Sequence, residues 1–265
     1  MTALTRSVKA EIDKLRTVRS TFVLVSIGFF LTIAFGALVA FGPRGRRGAM
    51  AGSLAPPHGS HRWFLDAMSI YGSIALPFAL VLGVLIITGE YRHKTVTSTF
   101  LAEPRRTLVV GSKLVVSVLA GLCVGVLAAA GALILGFIMV AGSHGTSSEM
   151  LGQYENVLGF LAGAALYAVY GTGLGALFKN QVAALIVGLG VDLVALPIIS
   201  GTVPGVARWL PGEAAQALAH AVQRTGFVNT SVHLLPWWGG VGMLIAYGVV
   251  LAGLGAATAI RADVT

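Results

Sequence analysis

The sequence predicts an all-α integral membrane protein, on the strength of its composition and of six long apolar runs. Hydrophobic residues make up 56% of the 265 residues and charged residues only 11%, compared with about 25% charged in soluble domains. Each run has about twenty residues, enough for a helix to cross a hydrocarbon core of roughly 30 Å. The runs are apolar on every side, whereas the strands of a membrane barrel alternate between apolar and polar residues. We therefore predict six transmembrane helices in a single transmembrane domain covering residues 1–265.

The predicted spans and connections follow directly from these runs. The spans cover residues 22–41, 70–89, 114–140, 157–178, 182–200 and 237–260. Residues 1–20 precede the first span, residues 90–113 connect the second span to the third, and residues 201–236 form the longest connection. The segment from 90 to 113 is called the 90–113 loop below.

The distribution of Lys and Arg predicts that both termini are cytoplasmic. Short basic loops are disfavoured on the translocated side of a membrane. A cytoplasmic N-terminus places twelve of the 18 Lys and Arg residues in inner segments, although Arg44, Arg46 and Arg47 depart from the rule. Inner cations beside anionic lipid account for most of the net charge of +8. The charge therefore does not require a nucleic acid partner.

Residues 1–20 have the pattern of a basic amphipathic helix. Apolar residues recur at intervals of three and four positions, namely Leu4, Val8, Ile12, Leu15 and Val18. Cations lie between them at Arg6, Lys9, Lys14, Arg16 and Arg19. A helix of this kind lies in the headgroup plane, with its cations toward anionic lipid. The alternative is a solvated helix that only anchors the first span.

The 90–113 loop combines charge with turn residues between two apolar spans. It begins with Glu90-Tyr91-Arg92-His93-Lys94-Thr95 and later contains Glu103-Pro104-Arg105-Arg106. Residues 95–102 are Thr-rich and apolar enough for one or two helical turns along the membrane surface. A short apolar segment with polar ends suits docking into the groove of a partner. An ordinary basic inner loop would have the same charge.

This order of residues resembles the permease subunits of ABC-2 type transporters, especially the six-helix subunits of high-GC Gram-positive bacteria. In that family the second span ends in an acid, followed by a Gly-Thr pair, a short coupling helix, Pro and Arg, and a Lys opening the third span. The matching residues here are Glu90, Thr95, Pro104, Arg105 with Arg106, and Lys113. Lys94 departs from the pattern, because it stands where the family usually has glycine. The resemblance extends to the amphipathic lead, the six spans and the cytoplasmic termini.

The resemblance implies a permease subunit of an ATP-binding cassette exporter in the bacterial plasma membrane. Two such subunits, identical or paralogous, would form the translocation pathway above two ABC ATPase subunits. The sequence contains no G-x-x-x-x-G-K-[ST] motif, so ATP and Mg²⁺ would bind to the partner ATPase. We expect no catalytic activity, cofactor or metal in this chain. The residues expected to couple it to the ATPase are Glu90, Tyr91, Arg92, Lys94, Thr95, Pro104, Arg105, Arg106 and Lys113.

Asp192 is an acid near the middle of the predicted fifth span. An ionised carboxylate at this depth is costly, so it must face a cavity, pair with a cation or carry a proton. A place in the transport pathway and a structural hydrogen bond between helices both account for it. Asp192 also fits a rival function, an energy-independent secondary transporter or channel with an ion site near the midplane. A membrane anchor or sensor subunit is the third alternative.

Two further patterns concern packing and the long connection. Glycines four residues apart predict close contact between helices, at Gly121/Gly125, Gly159/Gly163 and Gly171/Gly175. In the connection from 201 to 236, residues 213–223 predict a helix after Pro204 and Pro211. By resemblance, short re-entrant or surface helices here would cap the exit of the pathway.

Overall fold

The computed structural model describes residues 3–41, 61–95, 99, 101, 105–143, 154–219 and 233–262. Within these ranges every regular element is helical. The α-helices are α1 (Ala3–Thr17), α2 (Arg19–Phe41), α3 (His61–Arg92), α4 (Arg106–Ser143), α5 (Tyr154–Phe178), α6 (Gln181–Gly190), α7 (Leu196–Thr202), α8 (Pro204–Ala207), α9 (Pro211–Leu218) and α10 (Trp237–Ala262). A π-helix, Val191–Ala195, joins α6 to α7.

Five helical stretches in the described part of the chain are long and apolar enough to cross a membrane. They are Gly72–Arg92, Leu108–Ile138, Glu155–Phe178, Gln181–Thr202 and Trp237–Gly255, and they overlap the last five predicted spans. The first predicted span falls in α2, which meets the spanning criteria only together with α1, across a bend of 71°. The prediction of an all-helical chain with several membrane-length helices is confirmed in this coarser form.

Helices α3 and α4, which precede and follow the 90–113 loop, both begin earlier in the chain than predicted. Helix α3 begins at His61 rather than at residue 70, and α4 begins at Arg106 rather than at residue 114. An apolar run marks only the part of a helix that lies in hydrocarbon. Flanking turns stay helical because their backbone hydrogen bonds continue beyond that run. Lys113 therefore lies inside α4 and not in the connection before it.

Helix α5 is central to the bundle and packs against α3, α4, α9 and α10. Its glycines allow neighbouring backbones to approach closely. A Cβ at Gly171 would overlap the carbonyl of Leu80 in α3, and a Cβ at Gly159 would overlap that of Leu218 in α9. Small residues are the means by which membrane helices pack at short distance. The predicted packing role of these glycines is confirmed.

The fifth span contains a π-helix between α6 and α7 and continues through it as one membrane-length helix, Gln181–Thr202. Pro197 follows this π-helix. Proline lacks a backbone N–H and clashes with the carbonyl four residues earlier, and a π turn is one way in which a membrane helix adjusts. Apolar side chains such as Ile186 and Ile198 are exposed along this span. The widened turn carries Asp192, near the middle of the predicted fifth span.

Candidate functional site

The C-terminal end of α3 has a defined turn. Thr95 N–H donates to Glu90 O at 3.0 Å, and Lys94 N–H donates to Tyr91 O at 3.3 Å. These two bonds form a Schellman motif, in which a residue just past the helix takes the left-handed conformation that glycine usually supplies. Lys94 has a φ of 54°. The left-handed residue is therefore the one that stands where the resembled family has glycine.

Four charged side chains meet where α1 contacts the ends of α3 and α4. Lys113 Nζ lies 3.0 Å from Glu11 Oε2 and 2.9 Å from Glu90 Oε1. Lys14 Nζ lies 2.7 Å from Glu11 Oε1 and 2.9 Å from Glu90 Oε1. We call these four residues the ionic cluster. Its two acids and two bases balance in charge, and each acid contacts both bases.

The ionic cluster is largely removed from solvent. Glu11, Glu90 and Lys113 are only 6%, 9% and 5% exposed, while the side chain of Lys14 remains 48% exposed. Burial disfavours the charged form of Lys14, but hydrogen bonds and charge interactions with Glu11 and Glu90 outweigh this and raise its pKa. Buried charges are tolerated when they are paired and hydrogen-bonded. The cluster meets this condition through its four short contacts.

Hydroxyl groups extend the ionic cluster to the 90–113 loop. Thr99 Oγ1 donates to Glu90 Oε1 at 3.1 Å, and Thr99 N–H donates to Thr95 O at the spacing of a helical turn. Ser7 Oγ donates to Ser112 Oγ at 3.0 Å, which adds a contact between α1 and α4. The loop, α1, α3 and α4 therefore all meet at the carboxylate of Glu90.

The other predicted coupling residues occupy the surface around this cluster. Those with exposed side chains are Tyr91, Arg92, Lys94, Thr95 and Arg105. Arg92 Nη1 also donates to Gln181 Oε1 at 3.3 Å, reaching the start of α6. Pro104 and the side chain of Arg106 lie outside the described residues, as does most of the predicted surface segment 95–102. Among the predicted coupling residues whose side chains are described, Glu90 and Lys113 are buried and the other five are exposed.

The predicted coupling residues include this buried pair but not Glu11 or Lys14. Lys14 is predicted to face anionic lipid, whereas its ammonium group contacts Glu11 and Glu90. A signal for Glu11 exists in the pattern of α1. Glu11 lies three residues after Val8 and four before Leu15, so it falls on the apolar stripe of the helix. An acid on such a stripe is costly unless a partner balances it. That spacing marks Glu11 as a residue with a partner on another element.

Asp192 lies at a second polar site, where the π-helix faces α5. The hydroxyl of Tyr167 donates a hydrogen bond to Asp192 Oδ1. Tyr167 is fully buried near the middle of α5. Asp192 Oδ2 is also buried, and the described residues provide no hydrogen-bond partner for it. One carboxyl oxygen is therefore satisfied and the other is not, which is costly for an ionised carboxylate.

Helix α9 enters the bundle and reaches this second site. At its C-terminal end, Leu218 packs against Gly159 near the start of α5. At its N-terminal end, the Cβ position of Gly212 lies 3.8 Å from the hydroxyl of Tyr167 and 3.9 Å from Asp192 Oδ1. The segment of α5 between these contacts is about 12 Å long. Helix α9 therefore runs antiparallel along about a third of α5, with its first turn at the level of Asp192.

Glu213 is a second buried acid in that first turn, with 3% exposure. Ser200 Oγ of α7 donates to Glu213 Oε1 at 2.8 Å. Burial raises the pKa of Glu213 to about 7, and the hydrogen bond from Ser200 limits the rise. We call Asp192 and Glu213 the acid pair. The sequence gives no signal for Glu213, because an acid in the first turn of a helix is ordinary.

Neither site has the composition of a metal centre. Within the described ranges, no group of three or more His, Cys, Asp or Glu side chains could hold a metal ion. The acids of the ionic cluster already bind lysine ammonium groups, and the acid pair contributes only two carboxyl groups. The ionic cluster contains paired charges, and the acid pair contains carboxyl groups that accept hydrogen bonds from hydroxyls.

Comparison with known proteins adds no family to this geometry. No family model matches the chain, and no match is found among curated proteins or among solved structures. The functional conclusion therefore rests on the residues themselves and on the resemblance around the 90–113 loop.

Proposed function

We propose that the chain is the permease subunit of an ATP-driven exporter and that the 90–113 loop contacts a separate ABC ATPase. The observation that carries this proposal is the bonding of Glu90. Its carboxylate accepts from Thr99 in the loop, from Lys113 in α4 and from Lys14 in α1. A partner that displaces the loop therefore acts on α1, α3 and α4 together. The resemblance to ABC-2 type permeases supports the same function from residue order.

The two groups of coupling residues have different tasks in this proposal. Tyr91, Arg92, Lys94 and Arg105 are exposed, so they form the surface that touches the ATPase. Their cations suit a groove with acidic edges. Glu90 and Lys113 are buried and paired with α1, so they transmit the displacement and do not meet the ATPase directly. The ionic cluster makes the ends of the helices move as a unit.

The assembly that follows has two permease chains, identical or paralogous, and two ATPase subunits. Each permease chain crosses the bacterial plasma membrane six times, with α2 as the first span and both termini in the cytoplasm. Helix α1 lies in the headgroup plane, where its exposed Arg6, Lys9 and Arg16 contact anionic lipid. ATP and Mg²⁺ bind to the ATPase, and this chain carries no cofactor.

The acid pair favours a second candidate function, an energy-independent secondary transporter or channel. Such proteins place their ion sites near the midplane, and Asp192 lies in a π-helix near the middle of the fifth span, an irregularity that often marks a functional site. A neighbouring reading frame that encodes an ATPase with a Walker A motif favours the exporter. Transport of dyes by the purified chain alone favours the rival. A chain that binds the ATPase but supports no transport would be an anchor or sensor subunit.

The proposal is tested by reconstituting the chain with the ATPase of the neighbouring reading frame in lipid vesicles. ATP hydrolysis and ATP-dependent movement of a panel of amphipathic dyes are measured together. We expect Glu90→Ala to retain membrane insertion and hydrolysis but to lose most dye transport. The double variant Arg105→Ala with Arg106→Ala is expected to uncouple hydrolysis from transport in the same way.

Arg208→Ala provides the matched control, because Arg208 is an exposed cation that lies over Trp209, far along the chain from the 90–113 loop. Its hydrolysis and transport should equal those of the unmodified chain. Unchanged coupling in the double arginine variant would exclude docking at the loop. A failure of the unmodified chain to bind the ATPase would exclude the exporter altogether.

A further inference from the structure

The acid pair lies where three elements meet halfway along α5. Asp192 is on the π-helix, Glu213 is in the first turn of α9, and the hydroxyl of Tyr167 lies between these elements. Gly212 has no side chain, which allows α9 to come within 3.9 Å of Asp192 Oδ1, measured from its Cβ position. The site is therefore built by the seating of α9 against α5 and the fifth span.

The groups that surround Asp192 determine its charge state. The titratable side chains described next to Asp192 are Tyr167 and Tyr170 of α5. Beyond them, Glu213 of α9 lies near Tyr167, and Tyr247 of α10 packs against Tyr170. All of these are acids, and none supplies a positive charge at neutral pH. The first turn of α9 has no side-chain cap, so its N–H groups contribute partial positive charge at this position. That contribution is a fraction of a unit charge.

Two solutions exist for a carboxyl group buried in this way. It can ionise, in which case both oxygens need donors or a cation, or it can bind a proton and become neutral. Asp192 Oδ1 has one donor, Tyr167, and the described residues offer nothing to Oδ2. A proton on Oδ2 makes the carboxyl group neutral and removes this cost.

We propose that the acid pair is a proton-binding site at mid-depth in the bundle, and that a proton on Asp192 Oδ2 keeps α9 seated against α5. The proton is taken up from water as the site closes and returns to water as it opens. Ionisation places a charge between Tyr167 and the first turn of α9, so water must enter and α9 must move away. The proton site lies entirely within this chain, so it can be tested without an ATPase, however transport is energised.

The first experiment is infrared spectroscopy of the full chain in lipid vesicles at about pH 5, where the site is expected to hold its proton. A protonated carboxyl group gives a carbonyl band that shifts in heavy water and is absent from ionised carboxylates. We expect this band in the unmodified chain and its loss or reduction in Asp192→Asn. Asp13→Asn is the control, because Asp13 is an exposed acid on α1 and should leave the band unchanged. A spectrum with no such band, or one that Asp192→Asn does not alter, overturns the proposal.

The second experiment follows α9 itself by hydrogen–deuterium exchange, corrected for the intrinsic dependence of exchange on pH. Protection of the backbone amides of residues 212–218 should fall about tenfold between about pH 5 and about pH 8 in the unmodified chain. Asp192→Asn and Glu213→Gln, made singly, should each reduce this fall, and together they should abolish it. Equal protection at both pH values in the unmodified chain would show that the proton does not hold α9.

Discussion

The ionic cluster and the acid pair both bury two carboxyl groups, but their surroundings differ. Glu11 and Glu90 each have two lysine contacts of 3.0 Å or less. Asp192 and Glu213 accept from the hydroxyls of Tyr167 and Ser200. A lysine fixes the charge of its acid at every ordinary pH, whereas a hydroxyl permits both charge states. The first site is thus suited to rigid mechanical connection, and the second to a change of state.

The variant with the largest expected effect is Lys113→Met, which removes the most buried cation of the ionic cluster. Glu11 Oε2 loses its ammonium partner, and Glu90 is left with the partly exposed Lys14 as its one cation in the ionic cluster. Removing one member of a buried ion pair costs about 3–5 kcal/mol. We expect thermal unfolding in detergent to show a loss of this size. Lys9→Met is the control, because Lys9 is exposed on α1.

Asp192→Asn should cost less than Lys113→Met in the same assay, because asparagine keeps the hydrogen-bonding shape. Such side-chain bonds in membrane proteins contribute about 0.6–2 kcal/mol. If Asp192→Asn proves the more damaging of the two, the assignment of a fixed charge to one site and a changeable charge to the other fails.

The second test is the dependence of stability on pH between about 4.5 and about 7. The pKa of Glu213 is raised from 4.5 to about 7, so its contribution to stability is full below 4.5 and is lost as the pH rises through about 7. The difference corresponds to about 3 kcal/mol. Lys14 contributes nothing to this slope, since its raised pKa affects stability only at alkaline pH. We expect Glu213→Gln to reduce the slope of the unfolding profile in this window, and the slope that remains to come from Asp192.

If the slope of stability against pH is the same in Glu213→Gln as in the unmodified chain, the slope comes from another group. Glu213 would then not belong to the acid pair. Glu155→Gln is a suitable control, because Glu155 is an exposed acid in the first turn of α5. It should leave the slope unchanged.

The sequence predicts the helical class well, because a run of apolar residues is a local property. The boundaries at His61 and Arg106 differ from the predicted ones, since polar turns at the membrane surface continue a helix without adding to the apolar run. The π-helix around Asp192 has only Pro197 as a local sign. The helical class can therefore be predicted from composition, whereas the helix boundaries and the π-helix depend on contacts that composition does not encode.

The candidate site was predictable only in part, for the same reason. Glu90 and Lys113 stand out by their positions at the ends of two spans. Their partner Glu11 lies more than seventy positions away in the sequence, and only its place on the apolar stripe of α1 distinguishes it. Glu213 lies in a short helix after a proline, where an acid is expected on local grounds. Its burial comes from α9 packing on α5, which no local pattern encodes.

The third test addresses the seating of α9, on which the acid pair depends. A Cβ at Gly159 would overlap the carbonyl of Leu218, so Gly159→Ala must push α9 away from α5. Overpacking of this kind costs about 1–3 kcal/mol. Gly242→Ala is the control, because the Cβ position of Gly242 has no neighbour within 4 Å.

We expect Gly159→Ala to lower the protection of α9 from hydrogen exchange while leaving the ionic cluster intact. This is tested by measuring the loss of stability caused by Lys113→Met with and without Gly159→Ala. The two losses should be equal if the cluster is intact, since distant independent sites contribute additively. Strong non-additivity would show that the two sites are coupled through α5 and are not separate.

The smallest expected effect is that of Lys94→Gly beside the ionic cluster. Lys94 holds a φ of 54°, which costs a residue with a side chain about 1–2 kcal/mol. Glycine removes that cost but loses about 0.5–1 kcal/mol through the greater freedom of the unfolded chain. The net gain should be about 0.5–1 kcal/mol in thermal unfolding. Ala10→Gly, at an exposed helical position of α1, should instead lose about 1 kcal/mol.

The same variant separates the two tasks proposed for the 90–113 loop. The Schellman bonds from Thr95 and Lys94 use only backbone atoms, so glycine preserves the turn and the position of Glu90. The exposed ammonium group of Lys94 is lost. If that group contacts the ATPase, Lys94→Gly gives a more stable chain that binds the ATPase more weakly, as measured by co-purification at increasing salt. If binding is unchanged, Lys94 serves the turn alone, and contact with the ATPase falls to Tyr91, Arg92 and Arg105.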